Sequence, residues 1–392
     1  MKNIIVSTQP SWLPVLKQLD AKAYQLIALQ PQFTKLLHDI DLPAKSLGEY
    51  LTDTDRSQAL RDASRLHVQL ASQPAMPMAH STAVSDWLVN NGVARYFYPR
   101  LIDLSLALAA LQRAEAKLLI LHNDVEPIHR LLALYAIQHG IPVLHIPHAI
   151  YLDSAERGPL GSDIHDVVTA DYLAAAGPFQ AQWYRARSAT QKIYLTGLPQ
   201  FDRLAGRTRK RDAACKLLRL DPYKPVLVYM SSWSQNTNLL GCHSGVEETY
   251  HNLLSALHEF KELQLVVKCH PRGNNVEWHM QEAAKTNLRC VVTAEHLDTT
   301  LMAADVVLSY GPSNVVLEAA SIPNLRVAVT DGFDDDPEIL TIGSATKELM
   351  VGIATALTQP APDMSRLLHK YLGQLDGQAA MRIANLIRKL VE

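Results

Sequence analysis

The sequence is poor in cysteine, and the few it has form no pattern. Its 392 residues include four, Cys215, Cys242, Cys269 and Cys290. Their spacing matches neither a zinc ligand set nor a redox pair. That excludes a disulfide-stapled scaffold and leads us to expect reduced thiols in a cytoplasmic protein. Long apolar runs are missing as well. No stretch approaches the ~20 residues of a spanning helix. Residues 104–111 come closest, and Asp103, Gln112 and Arg113 bound them. The opening Met1-Lys2-Asn3-Ile4-Ile5-Val6-Ser7 has too short an apolar run for a signal peptide and reads as a first strand. Charge of one sign is lacking too: the net charge is −2, so no global basic field recruits nucleic acid. There is no low-complexity tract and no short-period repeat. His243, His251 and His258 are scattered, and Asp334-Asp335-Asp336 has no neighbours that complete a ligand set, so no metal is expected.

What is there is an alternation of apolar runs with helix-length segments. Composition is that of a soluble globular protein, 48% apolar and 19% charged. The chain is too long for one typical core, so two domains are expected. Strands are expected at 3–7, 24–29, 118–122, 143–146, 167–169 and 193–196, then at 226–230, 263–269, 288–292, 305–309 and 325–329. Most are continuous Val/Ile/Leu runs, as in parallel sheets covered on both faces. The span 51–115 reads as mainly helical. The expected fold class is α/β, with two Rossmann-like domains facing a cleft. Domain boundaries are set at 1–200 and 201–370, and a basic amphipathic helix in 371–392 is placed back on the first domain. The basic run Arg207-Thr208-Arg209-Lys210-Arg211 reads as a solvated helix face, with a membrane-surface or anionic contact as the alternative.

Several loops carry chemistry. In His270-Pro271-Arg272 the proline ends a strand, and two cationic donors follow at the sheet's carboxyl edge. In Gly311-Pro312-Ser313-Asn314 a glycine allows close backbone approach at the start of a helix, where unpaired N–H groups attract phosphate. Ser313 and Asn314 add side-chain groups there, and Glu318 can accept from ribose hydroxyls one turn further on. The alternative is that Ser313 merely caps its own helix. In the first half, Asp124 and Glu126 follow the strand at 118–122, and His148 follows the strand at 143–146. A carboxylate there suits a general base or a nucleophile, or else caps the next helix. Ser231 and Ser232, after the strand at 226–230, are weaker candidates to line the cleft.

This series resembles the GT-B glycosyltransferases of bacterial surface-polysaccharide assembly that use cytidine-activated donors: β-Kdo transferases, polysialyltransferases and CDP-glycerol glycerophosphotransferases. The resemblance rests on His270-Pro271, on Ser313-Asn314 ahead of Glu318, on Thr196-Gly197-Leu198-Pro199-Gln200-Phe201-Asp202, and on the strand end from His145 to His148. Ser313-Asn314 stands where the family has a serine pair, and Ile146-Pro147-His148-Ala149 where it has Gln-His-Gly. The resemblance implies an acceptor domain at 1–200 and a donor domain at 201–370. It also implies that His270 and Ser313 hold the donor phosphate. The implied partners are a nucleotide-sugar donor, a CMP-sugar, and a glycan or glycolipid acceptor, without nucleic acid and without a further cofactor. Peripheral association with an inner membrane or an assembly complex fits the same picture. Donor sugar and stereochemistry stay open. A CDP-glycerol phosphotransferase, a UDP-sugar 2-epimerase on the same architecture and an inactive scaffold remain as alternatives.

Overall fold

The structure, a computed structural model, describes residues 1–7, 10–29, 31–39, 41–72, 98–122, 127–147, 149–150, 169–187, 191–231, 244–270, 276–286, 288–311, 313–330 and 336–392. Thirteen strands are described, in two sheets. The first holds β1 (Lys2–Val6), β2 (Tyr24–Ala28), β3 (Ala44–Ser46), β4 (Leu118–Leu121), β5 (Val143–His145), β6 (Tyr172–Ala175) and β7 (Lys192–Leu195), in the order β3-β2-β1-β4-β5-β6-β7. The second holds β8 (Val226–Met230), β9 (Gln264–Lys268), β10 (Cys290–Thr293), β11 (Val306–Tyr310), β12 (Arg326–Thr330) and β13 (Leu340–Ile342), in the order β10-β9-β8-β11-β12-β13. Every pairing is parallel. Central strands such as Leu-Leu-Ile-Leu in β4 and Val-Leu-Val-Tyr-Met in β8 are buried throughout, as helices on both faces require.

The strand order creates a reversal in each sheet. From β1 the chain winds outward through β2 and β3, then returns to the other side of β1 as β4. From β8 it winds through β9 and β10, then returns beside β8 as β11. Such reversals leave a crevice beyond the carboxyl ends of the two flanking strands, where ligands bind in open α/β sheets.

Several expectations change. Of the strand expected at 167–169, residues 167 and 168 lie outside the described residues, and a strand not anticipated there forms at Tyr172–Ala175. The edge strands β3 and β13, three residues each, were not anticipated. Of the span 51–115, Asp53–Ser72 and Tyr98–Arg113 are helical. In the basic run Lys210 is exposed, as a solvated face requires, but the arginines are paired. Arg209 and Arg211 converge on Asp305, at 3.1 and 2.6 Å, and Asp305 also accepts from the amide of Val226 at 2.9 Å. Arg211 reaches the carbonyl of Lys224 at 2.8 Å as well. Half-buried guanidinium groups need such partners, so the run braces the helix Arg211–Leu217 against the amino end of the second sheet.

The chain's end returns to the first sheet. In the helix Ala379–Val391, Ile383, Ala384 and Ile387 are fully buried against a cluster that includes Ile4, Val6 and Trp12. Each isoleucine contributes roughly 1.5–3 kcal/mol by leaving water, and the alanine methyl less. Before it, the helix Ser365–Leu372 lies on the helix Pro178–Arg187, with the rings of Tyr371 and Phe179 4.9 Å apart. A side chain at Gly177 would come within 2.5 Å of the Tyr371 carbonyl, so that crossing requires glycine. Among the described residues no helix is long and apolar enough to cross a membrane.

Candidate active site

At the first reversal, Ser7 follows β1 and His122 follows β4. Ser7 is fully buried, and its Oγ lies 2.6 Å from Nδ1 of His122 and 3.3 Å from Nε2 of His129. His129 comes from the helix Pro127–Gln138, and the two imidazoles meet edge to face at 4.9 Å. One hydroxyl has one proton to donate, so it can donate to only one ring and must accept from the other. The tautomers of His122 and His129 are therefore coupled through Ser7. Nε2 of His145, at the end of β5, lies 3.2 Å from the carbonyl of His122, and the ring of Trp12 stands 6.3 Å from that of His122.

At the second reversal the exits of β8, β9 and β11 are each locked. Ser231, after β8, has its Oγ 3.0 Å from Nε2 of the fully buried His279, whose Nδ1 lies 3.8 Å from Sγ of Cys269. One imidazole thus ties the ends of β8 and β9. Lys268, the last residue of β9, is buried and donates to the carbonyls of Cys269 and Ala294 at 2.8 and 2.9 Å. Burial pushes its ammonium below the ordinary lysine range. Beyond this anchor the chain emerges at half-buried His270. After β11, Gly311 adopts φ 67°, a left-handed turn that glycine takes without strain, while its amide donates to Thr330 at 3.0 Å. Ser313 then takes extended backbone and accepts from the amide of Val315 at 3.5 Å, capping the helix Asn314–Ala320.

Glu318, on that helix, is largely buried and paired with Arg203. Burial raises its carboxyl above the ordinary range, and Arg203 opposes the shift. Among the described residues of this edge, burial pushes the Cys269 thiol up to about 11 and the Cys290 thiol up to about 12, which leaves those two little thiolate near neutral pH. Among the described residues no group of three His, Cys, Asp or Glu is placed to hold a metal ion.

The two carboxyl edges meet. Oδ1 of Asn314, after β11, accepts from the amide of Ile150, downstream of β5, at 3.1 Å. Ile150 itself packs into the core of the second half. A short bridge therefore joins the segment beyond β5 of the first sheet to the helix that follows β11 of the second.

No family model and no curated protein matches the sequence. Solved structures match the fold. MnaA of S. aureus, in a co-structure with UDP, aligns over 99% of this chain and 96% of its own at a TM-score of 0.58 and 14% identity. UDP-GlcNAc 2-epimerase of Methanocaldococcus jannaschii, in complex with UDP-GlcNAc and UDP, aligns over 99% and 100% at 0.57 and 14%. MurG of Acinetobacter baumannii aligns over 99% and 100% at 0.53 and 14%.

The fold is GT-B.

In this GT-B cleft, His270, Gly311, Ser313, Asn314, Glu318 and Ser231 all stand at or just beyond the carboxyl edge of the second sheet. Their side chains are not equally available. The Ser313 hydroxyl caps its helix, the Asn314 carbonyl bridges the halves, Glu318 holds Arg203, and Ser231 is engaged with His279. Arg272, Ser232, Asp124, Glu126 and His148 lie outside the described residues. The sequence reading missed Ser7, His129, His279 and Arg203. Strand order alone brings Ser7 and His122 together from 115 positions apart. Arg203 offered only its place next to Asp202 in the junction motif.

Proposed function

We propose that this chain transfers a sugar from a nucleotide-activated donor to a hydroxyl of a bacterial surface glycan, and that the donor is a CMP-sugar of the Kdo or sialic type. The observation that carries this reading is the Asn314–Ile150 bridge, which joins the second sheet's carboxyl edge, where His270, Gly311 and Glu318 stand, to the segment beyond β5 of the first sheet. We assign the Ser7, His122 and His129 cluster to the facing edge. A charged nucleotide suits the first edge, with its imidazole and its left-handed backbone turn at Gly311. An acceptor hydroxyl suits the second. The cytidine preference rests on the motif resemblance at His270-Pro271 and Ser313 to Glu318.

In the inverting form, the acceptor oxygen bonds to the anomeric carbon as the bond to the phosphate oxygen breaks. Asp124 takes the acceptor proton, CMP leaves, and His270 with Arg272 neutralises the charge that develops on it. In the retaining form, a carboxylate bonds to the anomeric carbon as the bond to the phosphate oxygen breaks and CMP leaves. The acceptor oxygen, giving its proton to a base, then displaces that carboxylate. Ser7 and the two imidazoles form the polar floor beneath the acceptor side. They are buried, so we assign them to orientation rather than to the reacting atoms.

A second reading, a UDP-sugar 2-epimerase, is favoured by the solved structures of similar fold, among them the M. jannaschii 2-epimerase in complex with UDP-GlcNAc and UDP. Two measurements separate them. A thermal-shift panel of CMP, CDP, UMP, UDP and GDP identifies the base, because ligand binding to the native state raises its midpoint. An incubation with free nucleotide sugar then tests for acceptor. A transferase releases nucleotide only when acceptor glycan is added, whereas an epimerase converts the free sugar nucleotide without it. A midpoint rise with UDP alone, together with acceptor-free conversion, replaces the first reading by the second.

A further inference from the structure

The turn that joins the two halves, the 3-10 helix Pro199–Leu204, has two charged neighbours that face opposite ways. The carboxylate of Asp202 accepts from the amides of Ala379 and Ala380, at 2.9 and 2.8 Å. It thereby caps the C-terminal helix that packs on the first sheet. The guanidinium of Arg203 faces the second half, where it pairs with Glu318 and with Asp298 of the helix Leu297–Ala303. Arg207 reaches the same Asp298 at 3.1 Å. Arg382, on the C-terminal helix, donates from Nε to the carbonyl of Thr196 at 2.8 Å, which fixes the start of the junction. The joint between domains is thus bonded on both sides by consecutive residues.

Glu318 is the only one of these carboxylates set at the nucleotide edge, four residues beyond Asn314. Its charged surroundings are Arg203 and Arg207 from the junction, Asp298 from the neighbouring helix and Lys268 from β9. A carboxylate largely removed from water stays ionised only if a cation stands beside it. A neutral carboxyl presents one acceptor fewer, so it cannot take both hydrogens of a vicinal diol through its two oxygens.

Resting on the donor-site reading above, we propose that Arg203 is the positioning residue for Glu318. It holds that carboxylate ionised and aimed so that it accepts from the two hydroxyls of a ribose. Recognition of a ribonucleotide is thereby tied to the interdomain joint, because the same turn anchors the C-terminal helix through Asp202. The ligand class it selects is a nucleotide with an intact 2′,3′-diol.

Two measurements on the full chain test this, each on wild type, Arg203→Met and Arg203→Lys. The first is a carbon-13 carboxyl NMR titration of Glu318, assigned with Glu318→Gln. It needs no nucleotide. We expect Glu318 to titrate at least about one pH unit higher in Arg203→Met, the scale of losing one close cation, and Arg203→Lys to restore much of the difference. The second is calorimetry with CMP, UMP and their 2′,3′-dideoxy analogues over a range of pH on both sides of the Glu318 titration that the first measurement gives. We expect wild type to favour the ribonucleotide about tenfold or more, on the scale of a hydrogen bond to a charged acceptor. In Arg203→Met that preference should vanish at the acid end of the range and return as the pH rises and Glu318 ionises. An unchanged Glu318 titration in Arg203→Met overturns the proposal. So does a shifted titration with ribose preference identical to wild type at every pH. If wild type binds neither nucleotide although the Glu318 titration moves, the donor-site reading fails and takes the ribose assignment with it.

Discussion

The amide of Ile150 donates to Oδ1 of Asn314 at 3.1 Å, joining residues 164 positions apart in the chain. It is a bond between halves, and it sits where the carboxyl edges of both sheets converge. Asn314→Ala should leave the Ile150 amide without this partner and cost about 1–3 kcal/mol of stability. Asn314→Asp keeps an acceptor oxygen and should recover most of it. Denaturant midpoints of the two variants against wild type check the difference. Equal midpoints for Ala and wild type would show the bridge to be energetically idle.

His270 and Ser313 should respond differently to truncation. His270→Ala removes a donor from the carboxyl edge of the second sheet and should weaken nucleotide binding by roughly 1–3 kcal/mol. Ser313→Ala removes a helix cap and should cost about 0.5–2 kcal/mol of stability along with weaker binding. Calorimetric titration with the nucleotide chosen by the thermal-shift panel, paired with thermal melts, separates the two effects. Full nucleotide affinity in folded His270→Ala would remove that residue from the site.

Turnover should depend on Asp124. Asp124→Asn is nearly isosteric but is a poor base and no nucleophile, so donor binding should persist while the rate falls by about 10² or more. Glu126→Gln is the parallel test. Loss in Glu126→Gln with wild-type rates in Asp124→Asn moves the role by two residues. Full activity in both sends it elsewhere.

Glu318 should leave a signature in the pH dependence of stability. Its native carboxyl is raised above the ordinary value of 4.5, chiefly by burial. The native state therefore binds its proton more tightly than the unfolded chain does. The associated stability is present below about 4.5 and is lost as pH rises through the native value. Glu318→Gln should flatten that decline. Urea midpoints measured from acid to neutral pH test it, and parallel curves for variant and wild type would contradict the assignment.

Asp305 should be costly to remove. It accepts from Arg209, from Arg211 and from the amide of Val226. Asp305→Asn leaves two half-buried guanidinium groups without their anion and should destabilise by about 3–5 kcal/mol. A fall in the denaturant midpoint much smaller than this would mean that water replaces the carboxylate readily.

Periodicity and composition carried much of the fold. Continuous apolar runs such as Val226–Met230 and Leu118–Leu121 are legible because a strand buried on both faces cannot alternate. The short edge strands Ala44–Ser46 and Leu340–Ile342 escaped because three residues with one neighbouring strand carry too little pattern. The basic run from Arg207 to Arg211 was misread because charge in a sequence does not reveal its partners. Asp298 and Asp305 lie more than ninety positions away. Loop chemistry at His270 and at Gly311 to Glu318 was visible, since proline, glycine and capping residues act locally.

The order of strands was not visible. Only the folded chain sets β1 against β4 and β8 against β11, and so puts Ser7 beside His122 and Glu318 beside Arg203. Local residues dictate which segments become strands and where loops open, because steric preference and hydrophobic period act over a few neighbours. Which loops share a crevice depends on pairings that close over a hundred residues, and the chain commits to those only by burying both sheets together.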